Sequence, residues 1–246
     1  MVEVVTIKVS GHRAGLEESV GSRIMAVQPS ISDIEEAPLV EQLLADPSLR
    51  SNLLAIQGIP PDPLYFQKVE VEGAPGGVRT DVDILLCAPG QPESAIAIEV
   101  KRVKVGANAL RSRQPNKLHE LKKGVQQANL LAQIGFSQVY FFVLVVVDSR
   151  EKNMRKISYD GADSELRSLI EQAIIEQAIS VGGLNARVGL VHYELVQPMD
   201  YPPLGMGALD AYGAHLIRSA QTVPQPAGLS RWVAEVAEHR TKMASK

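Results

Sequence analysis

Polar and apolar residues alternate with a period of two in three neighbouring stretches: LYFQKVEV at 64–71, VRTDVDILLCA at 78–88 and AIAIEVKRV at 95–103. The turn-forming segments EGAPGG and PGQPES separate them, so the pattern predicts three strands with hairpin-like links. A helical period follows in KLHELKKGVQQANLLAQIG, where Leu118, Leu121, Val125, Ala128 and Ala132 recur at three- and four-residue steps and Gly135 supplies a stop. SQVYFFVLVVVD is apolar on both faces and predicts a central strand covered on both sides. A helix capped by Asp163 or Ser164 runs to about Ser180 and ends at Gly182-Gly183, and ARVGLVHYELV predicts a further strand.

The flanks are less regular. The first nine residues alternate as a strand would, and residues 14–27 carry a helical pattern. A helix is expected from about Pro38, interrupted by Pro47, with a short second helix ending before the Pro-rich stretch at 60–63. Residues 197–228 are rich in Pro and Gly and read as a long surface connection to an amphipathic helix, LSRWVAEVAEHRTKM. The expected division is an N-terminal extension (1–30), a core (31–197) and a C-terminal connection with its helix (198–246). The element order predicts an α/β fold, a mixed central sheet flanked by helices with N- and C-terminal additions.

Composition narrows the function classes. The 246 residues are 45% hydrophobic and 22% charged, as in a folded globular protein. The single cysteine, Cys87, excludes an internal disulfide framework and reads as a small buried hydrophobe. No apolar run approaches the ~20 residues of a membrane span. The start, MVEVVTIKVSGHR, lacks a signal peptide's basic and apolar regions. A soluble cytoplasmic protein without a membrane partner is expected. Net charge is −3, yet Lys101, Arg102, Lys104, Arg111, Arg113, Lys117, Lys122 and Lys123 are accompanied by one acid, Glu120. Such a basic island can bind a polyanion locally, or form a solvated helix face and loop.

The strands themselves hold the candidate chemistry. Strict alternation places Asp81, Asp83 and Leu85 on one face, with Val82, Ile84 and Leu86 on the other. Ala95, Ala97, Glu99 and Lys101 share a face in the next strand, where the alanines leave room. If the two strands pair, Asp83 and Glu99 converge. Two carboxylates on rigid strands are hard oxygen ligands suited to Mg²⁺ or Mn²⁺. Lys101 reaches the same place, to orient a water or neutralise a phosphate transition state. A solvated hairpin with an ordinary cross-strand Glu–Lys pair is the competing reading.

Asp83 followed by Glu99-Val100-Lys101 resembles the PD-(D/E)xK nuclease superfamily, over about residues 38–147. The usual proline before the first acid is absent, since the sequence there is TDVD. The resemblance implies a restriction-endonuclease-like fold and a Mg²⁺- (or Mn²⁺-) dependent endonuclease. It also implies a metal-binding carbonyl at Val100, an auxiliary Gln127 from the following helix, and a further acid on an early helix. Glu41 is the first candidate for that acid and Glu36 the second. Lys104, Arg111, Arg113, Lys117, Lys122 and Lys123 would then contact the nucleic-acid backbone. DNA and a second copy of the chain, as a homodimer, are the expected partners. A catalytically inactive nuclease-fold module for nucleic-acid binding or protein assembly is the alternative.

Rival chemistries find less support. There is no GxSxG elbow and no Walker loop. His12, His119, His192, His215 and His239 show no metal-ligand spacing, and GMGALD at 205–210 lacks the third glycine of a dinucleotide fingerprint. Aromatic residues are 4%, too few to suggest a base-stacking platform.

Overall fold

A computed structural model of the chain describes residues 35–55, 64–71, 80–106, 118–148, 164–196 and 210–244. The apolar run at 139–147 lies inside a sheet with neighbours on both sides, as a strand without a wet face requires. The six strands are β1 (Leu64–Val71), β2 (Thr80–Ala88), β3 (Gln91–Gly106), β4 (Gln138–Asp148), β5 (Gly189–Val196) and β6 (Asp210–Arg218), paired in chain order. β1 through β3 are antiparallel, β3 through β5 parallel, and β6 returns antiparallel to β5. The protein is α/β with a mixed sheet.

Helices make the parallel links, because the chain must return to the same end of the sheet. Before the sheet lie α1 (Glu36–Ala45) and α2 (Pro47–Ala55). A 3-10 turn (Leu118–Glu120) leads into α3 (Leu121–Ile134), between β3 and β4. Between β4 and β5, α4 (Ser164–Ile175) runs on as a π turn over Glu176–Val181. The chain then ends on α5 (Ala227–Ala244).

Two cores sandwich the sheet. Leu121, Val125, Ala128 and Leu131 of α3, Ile170 and Ile174 of α4, and Val233 of α5 cover one face. Odd-numbered β4 residues, Val139 to Val147, line that face. Leu39, Val40, Leu43 and Leu44 of α1, with Leu53 and Leu54 of α2, cover the other, against Tyr140, Phe142, Leu144 and Val146. Burying these side chains contributes on the order of 1.5–3 kcal/mol each. Gly135 ends α3 in the left-handed region (φ 102°), and its N–H donates to Leu131 O at 3.3 Å.

The C-terminal segment departs from expectation. Residues 197–228 were predicted to be a surface connection, yet 210–218 form edge strand β6. Gln225, just before α5, accepts from Ser137 N–H (3.2 Å) and donates to Pro92 O (2.8 Å). Trp232 packs edge-on against Phe136 at 6.2 Å. Residues 210–244 are therefore built into the sheet and core. Local composition conceals this because β6 depends on β5 for its ladder. The predicted elements at 1–27 lie outside the described residues. Among the described residues, no helix is long and apolar enough to cross a membrane.

Candidate active site

Asp83 sits where strand geometry breaks. Regular pairing of β2 with β3 stops at Ile84 opposite Ile98, one step short of Asp83 and Glu99. On its other side, the β1–β2 register places Lys68 opposite Asp83, but the two do not pair, and Lys68 has φ 45°. A non-glycine residue there is strained by about 1–3 kcal/mol, which marks an irregularity in the β1–β2 ladder at this point. Strict alternation also fails. Val82 joins the same core as Leu85, while Ile84 and Leu86 join the opposite one. The expected grouping of Val82 with Ile84 and Leu86 is therefore corrected: the strand turns at Asp83 as it leaves β3. Its carboxylate replaces a ladder acceptor, with Val100 N–H donating to Asp83 Oδ2 at 2.8 Å.

Glu99 projects from β3 on the Ala95–Ala97 face and is 1% exposed. Lys101 Nζ lies 2.7 Å from Glu99 Oε1 and donates to Val100 O at 2.8 Å. Lys101 and Asp83 are thus the polar neighbours of the buried Glu99 carboxyl, and the Lys101 contact is close but poorly aligned for a hydrogen bond. Burial, then the Asp83 charge, push the Glu99 carboxyl up to about 8, against the pull of Lys101. Burial also raises Asp83, opposed by the Val100 N–H and Lys101. For Lys101, burial favours the neutral amine, but Glu99, Glu36 and Asp83 outweigh it and raise its pKa. Lys101 is thus a permanent cation, while Glu99 holds its proton at neutral pH.

The early-helix acid at this site is Glu36. Its Oε2 accepts from Arg102 N–H at 2.8 Å, and its Oε1 lies 3.4 Å from Lys101 Nζ. Glu41, the first candidate, is exposed farther along α1. Five residues on a helix rotate the side chain about 140° from Glu36, which turns it from the site. Glu36 is the acid at this site because α1 starts beside Lys101 and Arg102 of β3.

The other predicted residues separate. The Val100 carbonyl lies at this group, where it accepts from Lys101 Nζ. Gln127 is half-buried on α3 and makes no hydrogen bond to this group. Gly124, on the same helix, does shape the site: a Cβ there would stand 2.3 Å from Lys101 Cγ and 2.6 Å from Phe141 Cε2. The basic island is not one stripe. Lys122 and Lys123 are exposed on α3, whereas alternation puts Lys104 with Val100 and Arg102 on the α1–α2 face. Arg111, Arg113 and Lys117 lie outside the described residues.

A second polar cluster escaped the sequence reading. His192 and His215 are register partners on β5 and β6, with ring centroids 5.8 Å apart. Their Nδ1 atoms approach Glu171 Oε2 of α4 at 3.8 and 3.3 Å. The nearness of the His192 and then the His215 imidazole lowers the Glu171 carboxyl to about 2, although at 3.8 Å the His192 contact is too long for a hydrogen bond. The spacing of 23 residues between the histidines has no signal until β6 is known to pair with β5.

Among the described residues, no three His, Cys, Asp or Glu side chains converge, as they stand, on a point where they could hold a metal ion. Asp83 and Glu99 are two hard oxygen donors, and Glu99 is buried with Lys101 and Asp83 beside it. With the Val100 carbonyl they fit Mg²⁺ or Mn²⁺, which accept carboxylate, carbonyl and water together. No protein-family model and no curated protein matches the chain.

Proposed function

We propose that the chain is a PD-(D/E)xK nuclease with the restriction-endonuclease-like form of the α/β fold, a metal-dependent endonuclease acting on DNA. Glu99 carries the reading. A carboxyl group 1% exposed, pressed against a second acid and an ammonium, is an expensive group to keep for packing alone. It stands beside Asp83 and Lys101 where the pairing of β2 with β3 stops, a place where such a group has a use.

Asp83, Glu99 and the Val100 carbonyl would hold Mg²⁺ or Mn²⁺. A divalent cation so placed supplies Lewis-acid activation of water and phosphate. Lys101 offers an ammonium to the charge that develops on a phosphodiester in its transition state. Burial of Glu99 keeps the pair away from bulk water, which strengthens every charge interaction at the junction. Lys122 and Lys123 offer exposed cations to a phosphate backbone on the α3 side.

The test is incubation of wild type, Glu99→Gln and Lys101→Ala with plasmid, linear, single-stranded and branched DNA, in Mg²⁺, Mn²⁺ or chelator. Cleavage by wild type alone, dependent on the ion, is expected. No cleavage with either ion, together with an unmoved melting temperature, would remove the catalytic claim. The satisfied ammonium of Lys101, with three oxygens around it, favours a second reading: an inactive nuclease-fold module for nucleic-acid binding or assembly. Ion binding and DNA binding without cleavage would select it. Sedimentation of the free chain tests the expected homodimer.

A further inference from the structure

The oxygens assigned to the divalent ion already hold a cation. Lys101 Nζ touches Glu99 Oε1 at 2.7 Å and Val100 O at 2.8 Å. These are two of the proposed ligand atoms, and two cations cannot occupy one point between them. The lysine stem has little freedom to leave. It passes under α3 at Gly124, so closely that a Cβ there would overlap its Cγ. Only the tip can swing.

Glu36 is positioned to receive that tip. Its Oε2 is fixed by Arg102 N–H at 2.8 Å, which orients Oε1 toward Nζ at 3.4 Å. That gap exceeds the ~2.7–2.9 Å of a good charge-assisted hydrogen bond. It would close if Nζ moved off Glu99. We infer that Lys101 is a tethered cation plugging the metal position, and that it yields Glu99 and Val100 O to a divalent ion by swinging onto Glu36. Glu36 is then a positioning residue, acting on the ion through Lys101 and not as its ligand. This rests on the reading of Asp83 and Glu99 as metal ligands. In the metal-free protein the plug fills the place between the Glu99 carboxyl and the Val100 carbonyl. In the loaded protein the same ammonium stands beside the ion, where a phosphate oxygen would arrive.

The experiment is Mn²⁺ binding followed by electron paramagnetic resonance, without DNA, on wild type, Lys101→Met, Glu36→Gln, the double variant and Glu99→Gln. Far-ultraviolet circular dichroism checks that each is folded. Lys101→Met keeps the apolar stem and removes the plug, so it should tighten Mn²⁺ binding by roughly tenfold or more, and Glu36→Gln should weaken it by a similar factor. In the Lys101→Met background, Glu36→Gln should have almost no effect, because the residue it serves is gone. A Glu36→Gln loss that persists undiminished there makes Glu36 an ordinary ligand or charge and overturns the plug. So does Lys101→Met binding no tighter than wild type. In both cases Mn²⁺ binding abolished by Glu99→Gln leaves the metal site standing. Absence of Mn²⁺ binding in wild type and in Lys101→Met alike would remove the metal site and the plug together.

Discussion

Replacing Glu99 by Gln should stabilise the metal-free protein, although it changes the group that Lys101 touches at 2.7 Å. In the unfolded chain the Glu99 carboxyl titrates near its ordinary value of 4.5, and in the folded protein burial and Asp83 hold it at about 8. A raised carboxyl pKa favours the native state fully below the unfolded value and loses that contribution as pH rises through the folded one. At pH 7 the folded protein must keep a proton that the unfolded chain has released. Linkage puts this at up to about 3 kcal/mol, against under about 1 kcal/mol at pH 5. Gln has the same shape, no proton to hold and no charge to desolvate. Glu99→Gln should therefore raise the melting temperature at pH 7 by roughly 6–12 °C for a chain of this size. The gain should shrink toward pH 5. Thermal and urea unfolding in chelator, repeated at pH 5, 6, 7 and 8, measure it. A variant less stable than wild type at pH 7, or a difference that does not grow with pH, would show that Lys101 holds Glu99 ionised and that the burial argument is wrong.

Gly124→Ala should destabilise the fold by about 1–3 kcal/mol despite better helix propensity, because fully buried Phe141 cannot retreat from the new methyl group. Denaturant unfolding measures this, and a neutral or stabilising result would mean that α3 rides higher over Lys101. Glu171→Gln should lower stability at pH 7 by about 1 kcal/mol, discounted for partial exposure. A lowered carboxyl pKa contributes above the unfolded value, so this loss should fade as pH drops from 4.5 toward 2. A difference that is constant with pH would remove the His192 and His215 contacts as its cause. Lys122→Ala with Lys123→Ala should weaken DNA binding across sequences and flatten the salt slope by about 2, measured by fluorescence anisotropy. An unchanged slope would make these lysines plain solvated surface.

Local periodicity reached far into this fold. The strand at 139–147 could only be central, since both of its faces are apolar. The α3 stripe and the Gly135 stop follow from spacing and backbone freedom alone. Asp83, Glu99 and Lys101 were legible because charges in otherwise buried strands are costly enough to stand out. Other features depended on which segments meet. β6 carries no strong pattern of its own and becomes a strand by pairing with β5, which also brings His215 to His192. Asp83 escapes strict alternation because β2 leaves β3 at that residue. Choosing Glu36 over Glu41 needed the approach of the start of α1 to Lys101 of β3, a contact across 65 residues of sequence. The seat of the Lys101 ammonium needed the nearness of α3 above it. Sequence determined which side chains would be costly to bury. Tertiary structure decided which of those costs were shared, because hydrogen bonds and ion pairs depend on distances of about 3 Å that no local pattern encodes.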